Sequence, residues 1–502
     1  VRHSHEGSNI VKVVVIGAGM VGNRFVDELG RLAPQVEIDV LGDESYEPYN
    51  RVMLTELIAG RIDLAGLTLP TPDNGRVRVR AGVRALEVDR ERRTVVTADG
   101  DFDYDVLVLA TGARARVIPV PGLRDGLPRG AHVVRRLDDA RDITAATLNA
   151  SHAVVIGAGP LGLEAACAMR HRGIGVTLVA ASGLLDRDLD PEVAAVVADQ
   201  ATSLGIEVVT DAAIASVGVK AGRVDAIHLA DGRTFPADIV VLACGSVPDT
   251  ALAADAGLDT NIGIVVGHDL RAPADASVCA IGDCAETPAG VSGLVAPGWA
   301  QARALARSIA HEAELELPPI AGSAMRLKAV GMSVVTMGVR SSTALPDDRV
   351  VTLSDRRERR HVELVARGDT LVGVTCVGSP DLAAHLSTQF DRPGMLPGDP
   401  MHLLMGTSGV GTTESASPTA MPAATTVCRC NGVTKGDLVH AWDGGATTVE
   451  ALADATLATT GCGGCTKLVC GIVDWLQSTD PPPAAATSQT DGVSRETTVP
   501  TK

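Results

Sequence analysis

Short runs of β-branched residues punctuate this chain, and two of them lead into the same sequence grammar. Ile10–Ile16 reads as a buried strand, followed by the turn Gly17-Ala-Gly19-Met-Val-Gly22, a helical pattern to about Leu32 and a second strand over Val36–Leu41. The order returns at Ala153–Ile156, with the turn Gly157-Ala-Gly159-Pro-Leu-Gly162, a helix over Leu163–Arg172 and a strand over Gly175–Ala180. A strand, a crossover helix and another strand make a parallel pair, because parallel neighbours need a long connection. Two such units predict an α/β protein with two doubly wound dinucleotide-binding domains.

Further strand-like runs follow each unit. Val77–Val88, Thr94–Ala98 and Phe102–Ala110 come after the first, the last closing in Ala110-Thr111-Gly112. Val208–Val219, Val224–Leu229 and Ile239–Gly245 come after the second, and Ala276–Ile281 then enters a Gly282-Asp283 turn. Between 321 and 405, Leu327–Met337, Arg349–Leu353, His361–Ala366 and Thr370–Val377 alternate as strands beside a short helical stretch, a small α+β domain. The expected layout is a first nucleotide domain in two pieces, 10–125 and 236–320, around a second at 126–235. The α+β domain at 321–405 is followed by a linker at 406–426, rich in Gly, Ser, Thr, Ala and Pro. A small helical cysteine domain spans 427–478, and 479–502 reads as a disordered tail.

Composition narrows the function classes. A chain of 502 residues is too long for one ordinary domain. A net charge of −17 and only 2% aromatics argue against a nucleic-acid partner. No apolar run approaches the roughly 18 residues that suggest a membrane span, and Val1–Asn9 lacks a signal-peptide core, so a cytoplasmic place is expected. Ten cysteines in such a chain suggest metal or redox chemistry more than a disulfide framework.

The glycine loops carry the first chemistry. Gly17 and Gly157 permit the tight turn, Gly19 and Gly159 let the backbone approach a pyrophosphate, and Gly22 and Gly162 let helix and strand pack closely. Met20 and Leu161 lie within the loops and are counted with them. An acid is expected where the second strand ends, to hold ribose hydroxyls; Asp43 and Glu44 stand there, and Asp43 is favoured. In the second unit that position is Ala180. Without a carboxylate a 2′-phosphate is tolerated, with Ser182 and Arg187 placed to receive it, which favours NADPH while leaving NADH open.

The second chemistry is a cysteine quartet, Cys428-x-Cys430 and Cys462-x-x-Cys465. Four thiolates suit a [2Fe–2S] cluster or a zinc ion. The Cys-x-Cys opening is tighter than zinc modules use, and two nucleotide sites upstream favour an electron acceptor. Cys470 lies outside that spacing. Cys167, Cys244, Cys279, Cys284 and Cys376 read as core, with a Cys279–Cys284 redox pair as the weaker reading. Glu164 either faces a cofactor or serves its helix N-terminus. Two nucleotide loops and one quartet together suggest an electron wire from nicotinamide through flavin to cluster.

These motifs resemble the pyridine-nucleotide-dependent flavoprotein reductases. Gly19-Met-Val-Gly22-x-Arg24-Phe25, Tyr49-Asn-Arg51-Val52 and Gly293-Leu-Val-Ala-Pro297-Gly298 are similar to the N-terminal half of the assimilatory NAD(P)H nitrite reductase large subunit. Val427-Cys-Arg-Cys-Asn431 and Thr460-Gly-Cys-Gly-Gly-Cys465 resemble the bacterioferritin-associated ferredoxin-like [2Fe–2S] domain that this family carries. The resemblance implies FAD in the first site, with Gly17, Gly19, Met20, Gly22, Asp43 and Arg51 at its adenosine and phosphates. It implies Thr111 and Gly112 as further FAD-binding residues, Asp283 on the ribityl chain and Val295, Ala296 and Pro297 near the isoalloxazine. NAD(P)H falls to the second site at Gly157, Gly159 and Gly162, with Leu161 counted beside them, and the cluster to the quartet. The large subunits of the family continue into a sirohaem and [4Fe–4S] region, for which the remaining cysteines here supply no motif. The reading that fits is therefore an electron-transfer subunit serving a separate molybdenum-dependent nitrate reductase or a sirohaem nitrite reductase. A general ferredoxin or rubredoxin reductase and a redox-sensing interaction protein are the other readings.

Overall fold

A computed structural model of the chain describes residues 11–71, 75–311, 324–390, 401–405, 421–428, 431–460 and 464–479, with Leu315, Leu317, Leu396, Pro418 and Thr419. Along the first half run β1 (Lys12–Ile16), α1 (Met20–Leu32), β2 (Glu37–Gly42), α2 (Leu54–Ala59), β3 (Val77–Ala81), β4 (Val106–Leu109) and β5 (Ala131–Val133). Then come β6 (His152–Ile156), α3 (Pro160–His171), β7 (Gly175–Val179), β8 (Ile206–Val209), β9 (Ile239–Leu242), β10 (Asp275–Ala280) and α4 (Val295–His311).

Two parallel sheets result. The first has the order β10-β4-β1-β2-β3, edged by the antiparallel strand Arg271–Ala272; the second has the order β8-β7-β6-β9-β5. The central strands are apolar on both faces because helices cover both: β9, Ile-Val-Val-Leu, is buried at every position. Each sheet is interrupted by a three-stranded antiparallel excursion, Ala85–Asp89 with Thr94–Thr97 and Gly100–Asp103 in the first unit and Ile214–Lys220 with Arg223–Leu229 and Thr234–Pro236 in the second. These excursions split the long runs expected from sequence. Val77–Val88 breaks at Gly82, Phe102–Ala110 at Tyr104-Asp105 and Val208–Val219 at Asp211, and the halves join different sheets. Hydrophobicity is continuous across each break because both halves are partly buried, so periodicity alone could not see the turn. The return to the first unit also comes later than residue 236: β9 pairs in parallel with β6 and belongs to the second sheet.

The third unit is the antiparallel sheet β11 (Ala324–Ala329), β12 (Met332–Gly338), β13 (Arg349–Asp355), β14 (Arg360–Arg367) and β15 (Thr370–Val377), in the order β11-β12-β15-β14-β13, with α5 (Pro380–Phe390). Its strand Leu327–Met337 becomes a hairpin at Val330-Gly331. Met325, Leu327 and Val334 share one core with Leu163, Met169 and Val197 of the second unit and with Leu54 and Ile58 of α2. Three units are thus welded along one apolar seam.

The fourth unit holds β16 (Thr426–Cys428), β17 (Val433–Thr434), α6 (Lys435–Asp443), α7 (Val449–Thr456) and α8 (Thr466–Thr479). Thr434 and Asp437 form a capping box on α6, and Thr448 caps α7 through Ala451 N at 3.1 Å. Leu438, Trp442, Leu452, Val469 and Ile472 make its core. Residues 421–426, given to the linker on composition, pack on this unit: Met421 joins its core, and Lys435 Nζ donates to the carbonyls of Met421 (2.8 Å) and Pro418 (2.5 Å). Residues 406–417 of that linker and the tail from 480 lie outside the described residues.

Candidate functional site

The first glycine loop runs from β1 into α1. Gly17 has φ +116°, open to glycine alone at little strain, and a Cβ there would sit 2.1 Å from the Ala110 carbonyl oxygen at the end of β4. A Cβ on Gly22 would fall 2.1 Å from Gly17 O, so α1 reaches the strand only through a bare Cα. Gly19 has no backbone neighbour that close; the Arg51 guanidinium lies above it, 3.6 Å from where a Cβ would be. The α1 N-terminus therefore opens onto a space bordered by a cation, the arrangement a pyrophosphate requires.

Both acids stand at the exit of β2, facing different ways. Glu44 turns inward, pairing with Arg51 at 2.6 Å and accepting the Tyr49 hydroxyl at 2.7 Å. Burial, opposed by Arg51 and reinforced by the Glu44 carboxylate, raises the pKa of Tyr49, so it stays a donor. Asp43, the acid favoured from sequence, turns outward and pairs with Arg136 at 2.7 Å. Glu44 is thus a further ribose-side candidate; its direction was invisible in sequence, where the two acids are adjacent.

Thr111, Gly112 and Asp283 come together at the ends of β4 and β10. Asp283 pairs with Arg135 Nη2 at 2.6 Å, Arg135 Nε donates to Ala113 O at 2.9 Å, and Thr111 Oγ1 donates to Asp249 O at 2.7 Å. Arg135 follows β5 of the second unit, 148 residues from Asp283, so no local pattern announces it. Val295, Ala296 and Pro297 form the first turn of α4. Val295 packs with Met20 and Trp299, and Trp299 Nε1 donates to Met20 O at 3.1 Å, which fixes that turn against the first loop.

The second loop repeats the geometry. Gly157 has φ +109° with a Cβ position 2.4 Å from Ala243 O, Gly162 has one 1.8 Å from Gly157 O, and a Cβ at Gly159 would meet nothing within 4 Å. Leu161 is half exposed beside it. Ala180 closes β7, buried, with its backbone held by Val209 O and Ala212 N, each at 2.9 Å. The following segment folds back through Leu185 N to Ala158 O at 2.9 Å and leaves Ser182 and Arg187 exposed near the loop. Glu164 neither lies in the first turn of α3 nor stands free: its carboxylate accepts Thr55 Oγ1 (3.0 Å) from α2 and Lys328 N (2.8 Å) from β11, tying three units together.

The buried thiols outside the quartet are core. Burial pushes Cys167 and Cys279 up to about 12 and Cys376 up to about 11, and raises Cys284, so none is a ready nucleophile. Of the quartet, Cys428 and Cys465 border one core at the ends of β16 and the start of α8; Cys430 and Cys462 lie outside the described residues. Asn431 Nδ2 faces Cys428 Sγ at 3.7 Å, an N–H placed for a thiolate sulfur. This unit rests on the first: Arg24 Nη1 of α1 donates to Asn431 Oδ1 at 2.8 Å, and Asn50 Nδ2 donates to Thr460 O at 2.7 Å. It also rests on the third, where Arg326 lies 3.1 Å from a Cβ position on Gly464.

Residues 11–304 match the family described as pyridine nucleotide-disulphide oxidoreductase, and 426–475 match the BFD-like [2Fe–2S] binding domain. The assimilatory nitrate reductase electron transfer subunit of Bacillus subtilis is 30% identical over 93% of this chain and 60% of its own length. The NAD(P)H nitrite reductase large subunit of Klebsiella oxytoca is 33% identical over 92% of this chain and 49% of its own. The chain thus spans about half to three-fifths of these relatives. Among solved structures, the covalent putidaredoxin reductase–putidaredoxin complex is similar with TM-score 0.68 and 26% identity, over 79% of this chain and 96% of that one. The chain belongs to the pyridine nucleotide-disulphide oxidoreductase family, as an NAD(P)H flavoprotein oxidoreductase with a BFD-like [2Fe–2S] binding domain after its reductase units.

Proposed function

We propose that this chain carries electrons from NADPH through FAD to a [2Fe–2S] cluster and on to a separate assimilatory nitrate or nitrite reductase, in the cytoplasm. One observation carries the reading: the cysteine unit is seated on the first nucleotide unit, through Arg24–Asn431 on α1, the helix that leaves the first glycine loop, and through Asn50–Thr460 just before Arg51. An acceptor needs that proximity to a flavin site. When bound, the cofactors supply the redox chemistry: NADPH gives a hydride, FAD takes the electron pair, and the cluster takes electrons singly.

The protein's own groups bind and orient. Gly17, Gly19, Gly22 and the α1 N-terminus would cradle the FAD pyrophosphate, with Arg51 as counter-charge and Asp43 or Glu44 at the ribose. Thr111, Gly112 and Asp283 would line the ribityl side, with Arg135 holding Asp283, and Val295 to Pro297 would border the ring. Gly157, Gly159, Leu161 and Gly162 would bind NADPH, with Ser182 and Arg187 at the 2′-phosphate. Ala180 removes the acid that would repel that phosphate. Cys428, Cys430, Cys462 and Cys465 would hold the cluster. The nitrate and nitrite systems named among the relatives support a catalytic partner, either a molybdenum enzyme or a sirohaem enzyme. A chain with its own cluster domain has less need of a separate ferredoxin, which ranks the general reductase reading second.

The test is an anaerobic titration of the holoprotein with NADPH and separately with NADH, following flavin and cluster absorbance. Bleaching of both by NADPH at low excess is expected. Reduction by NADH alone overturns the coenzyme assignment, and a flavin without an iron–sulfur band overturns the wire.

A further inference from the structure

Arg24 and Asn431 each belong to a sequence motif, and no cofactor-binding role uses either. In the fold, 407 residues apart, they meet: both are 8% exposed and bonded at 2.8 Å. We propose that Arg24 is a positioning residue for the cluster, acting through Asn431 to raise the potential at which the Cys428 end of the quartet accepts an electron. The inference rests on the [2Fe–2S] reading above.

The chain of donors has one direction. A guanidinium only donates, so the Asn431 carbonyl must face Arg24. Its Nδ2 then points into the cysteine unit, where Cys428 Sγ (3.7 Å), Thr460 Oγ1 (3.2 Å) and the Leu457 carbonyl receive it. A positive donor on the carbonyl side polarises the amide and strengthens its N–H bonds. An N–H aimed at a ligating sulfur favours the more negative, reduced state of a cluster. Because both side chains are buried, solvent ions screen the effect little.

A purely structural role for Arg24 accounts for only part of its surroundings. Glu28, one turn along α1, takes Nη2 at 2.6 Å, and the Trp299 ring lies 5.9 Å from its Cζ. Nη1 is directed away from that pair into another unit, and among the described residues Nε is buried without a hydrogen-bond partner. Asn50 of the first unit also donates to the carbonyl of Thr460, two positions before Cys462 in the sequence. By the reciprocity of coupled equilibria, a contact that favours the reduced cluster also holds the reduced unit more tightly than the oxidised one.

The experiment is an EPR-monitored redox titration of the full-length holoprotein as wild type, Arg24→Gln, Asn431→Ala and the double variant. Each single change is expected to move the cluster midpoint to more negative values while the flavin midpoint in the same titration stays put. The double variant is expected to match Asn431→Ala, because Arg24 acts through that amide. If Arg24→Gln does not load its cofactors, Arg24→Lys replaces it, with a smaller shift expected. Unchanged cluster midpoints, equal movement of the flavin midpoint, or full additivity in the double variant would overturn the proposal. A wild-type protein with no iron–sulfur signal overturns the wire reading as well, a result distinct from the others.

Discussion

At the scale of single residues, the two glycine loops show how little freedom the nucleotide sites have. Gly162 has no room for a methyl group: its Cβ position is 1.8 Å from a backbone oxygen, which cannot rotate away as a side chain could. Overpacking of this kind costs roughly 1–3 kcal/mol, so Gly162→Ala should weaken NADPH binding about ten- to a hundredfold while bound FAD is retained. Stopped-flow flavin reduction across NADPH concentrations would show it, and wild-type affinity would remove the second loop from the nucleotide site. The glycines were legible in sequence because their spacing encodes backbone shape. The direction of Glu44 and the partnership of Arg135 with Asp283 were not, because side-chain orientation is set by neighbours far away in the chain.

At the scale of elements, the junctions between units are polar knots on an apolar seam. Asp190, just before the helix Pro191–Ser203, accepts Ser341 Oγ (2.9 Å), Ser342 N (3.0 Å) and Ser342 Oγ (2.5 Å) from the third unit. Burial pushes its carboxyl up, but those bonds and the Arg340 charge outweigh it, and the folded pKa is lowered. A depressed pKa gives stability that is present above the ordinary carboxylate value of about 3.9 and is lost as pH falls through the folded value. Asp190→Asn should therefore lower the thermal midpoint at pH 7, by a loss of about 1–2 kcal/mol, and the gap to wild type should close toward pH 3. A gap that persists at acid pH would mean the carboxylate charge is not what joins the units. The strand-like runs were foreseen in place better than in length: those at Gly82 and Asp211 broke where the chain leaves one sheet for another, and that at Gly331 where it turns back as a hairpin in the same sheet, because hydrophobicity carries on through each turn.

At the scale of the whole molecule, the proposed function sends electrons out through the cysteine unit. Burial raises the pKa of Cys167, Cys279, Cys284 and Cys376, so none of these four offers a ready thiolate. Cys428→Ser should abolish, by at least about a hundredfold, the reduction of a one-electron partner protein. It should leave NADPH-driven reduction of a two-electron quinone near wild type. Equal loss of both activities would mean that the cysteine unit serves the reductase fold rather than the exit of electrons. Among the described residues no helix is long and apolar enough to cross a membrane.

The sequence by itself determined the two strand–loop–helix units, the cysteine spacing and the missing acid at Ala180, because each depends on residues close together in the chain. The fold family followed from those local features. Only the tertiary structure decided where the units sit on one another: Glu164 across three of them, Arg135 behind Asp283, and Arg24 against Asn431 beside Cys428. Those contacts join residues from about a hundred to four hundred positions apart. Their geometry comes from the packing of whole sheets and helices, which local pattern does not encode.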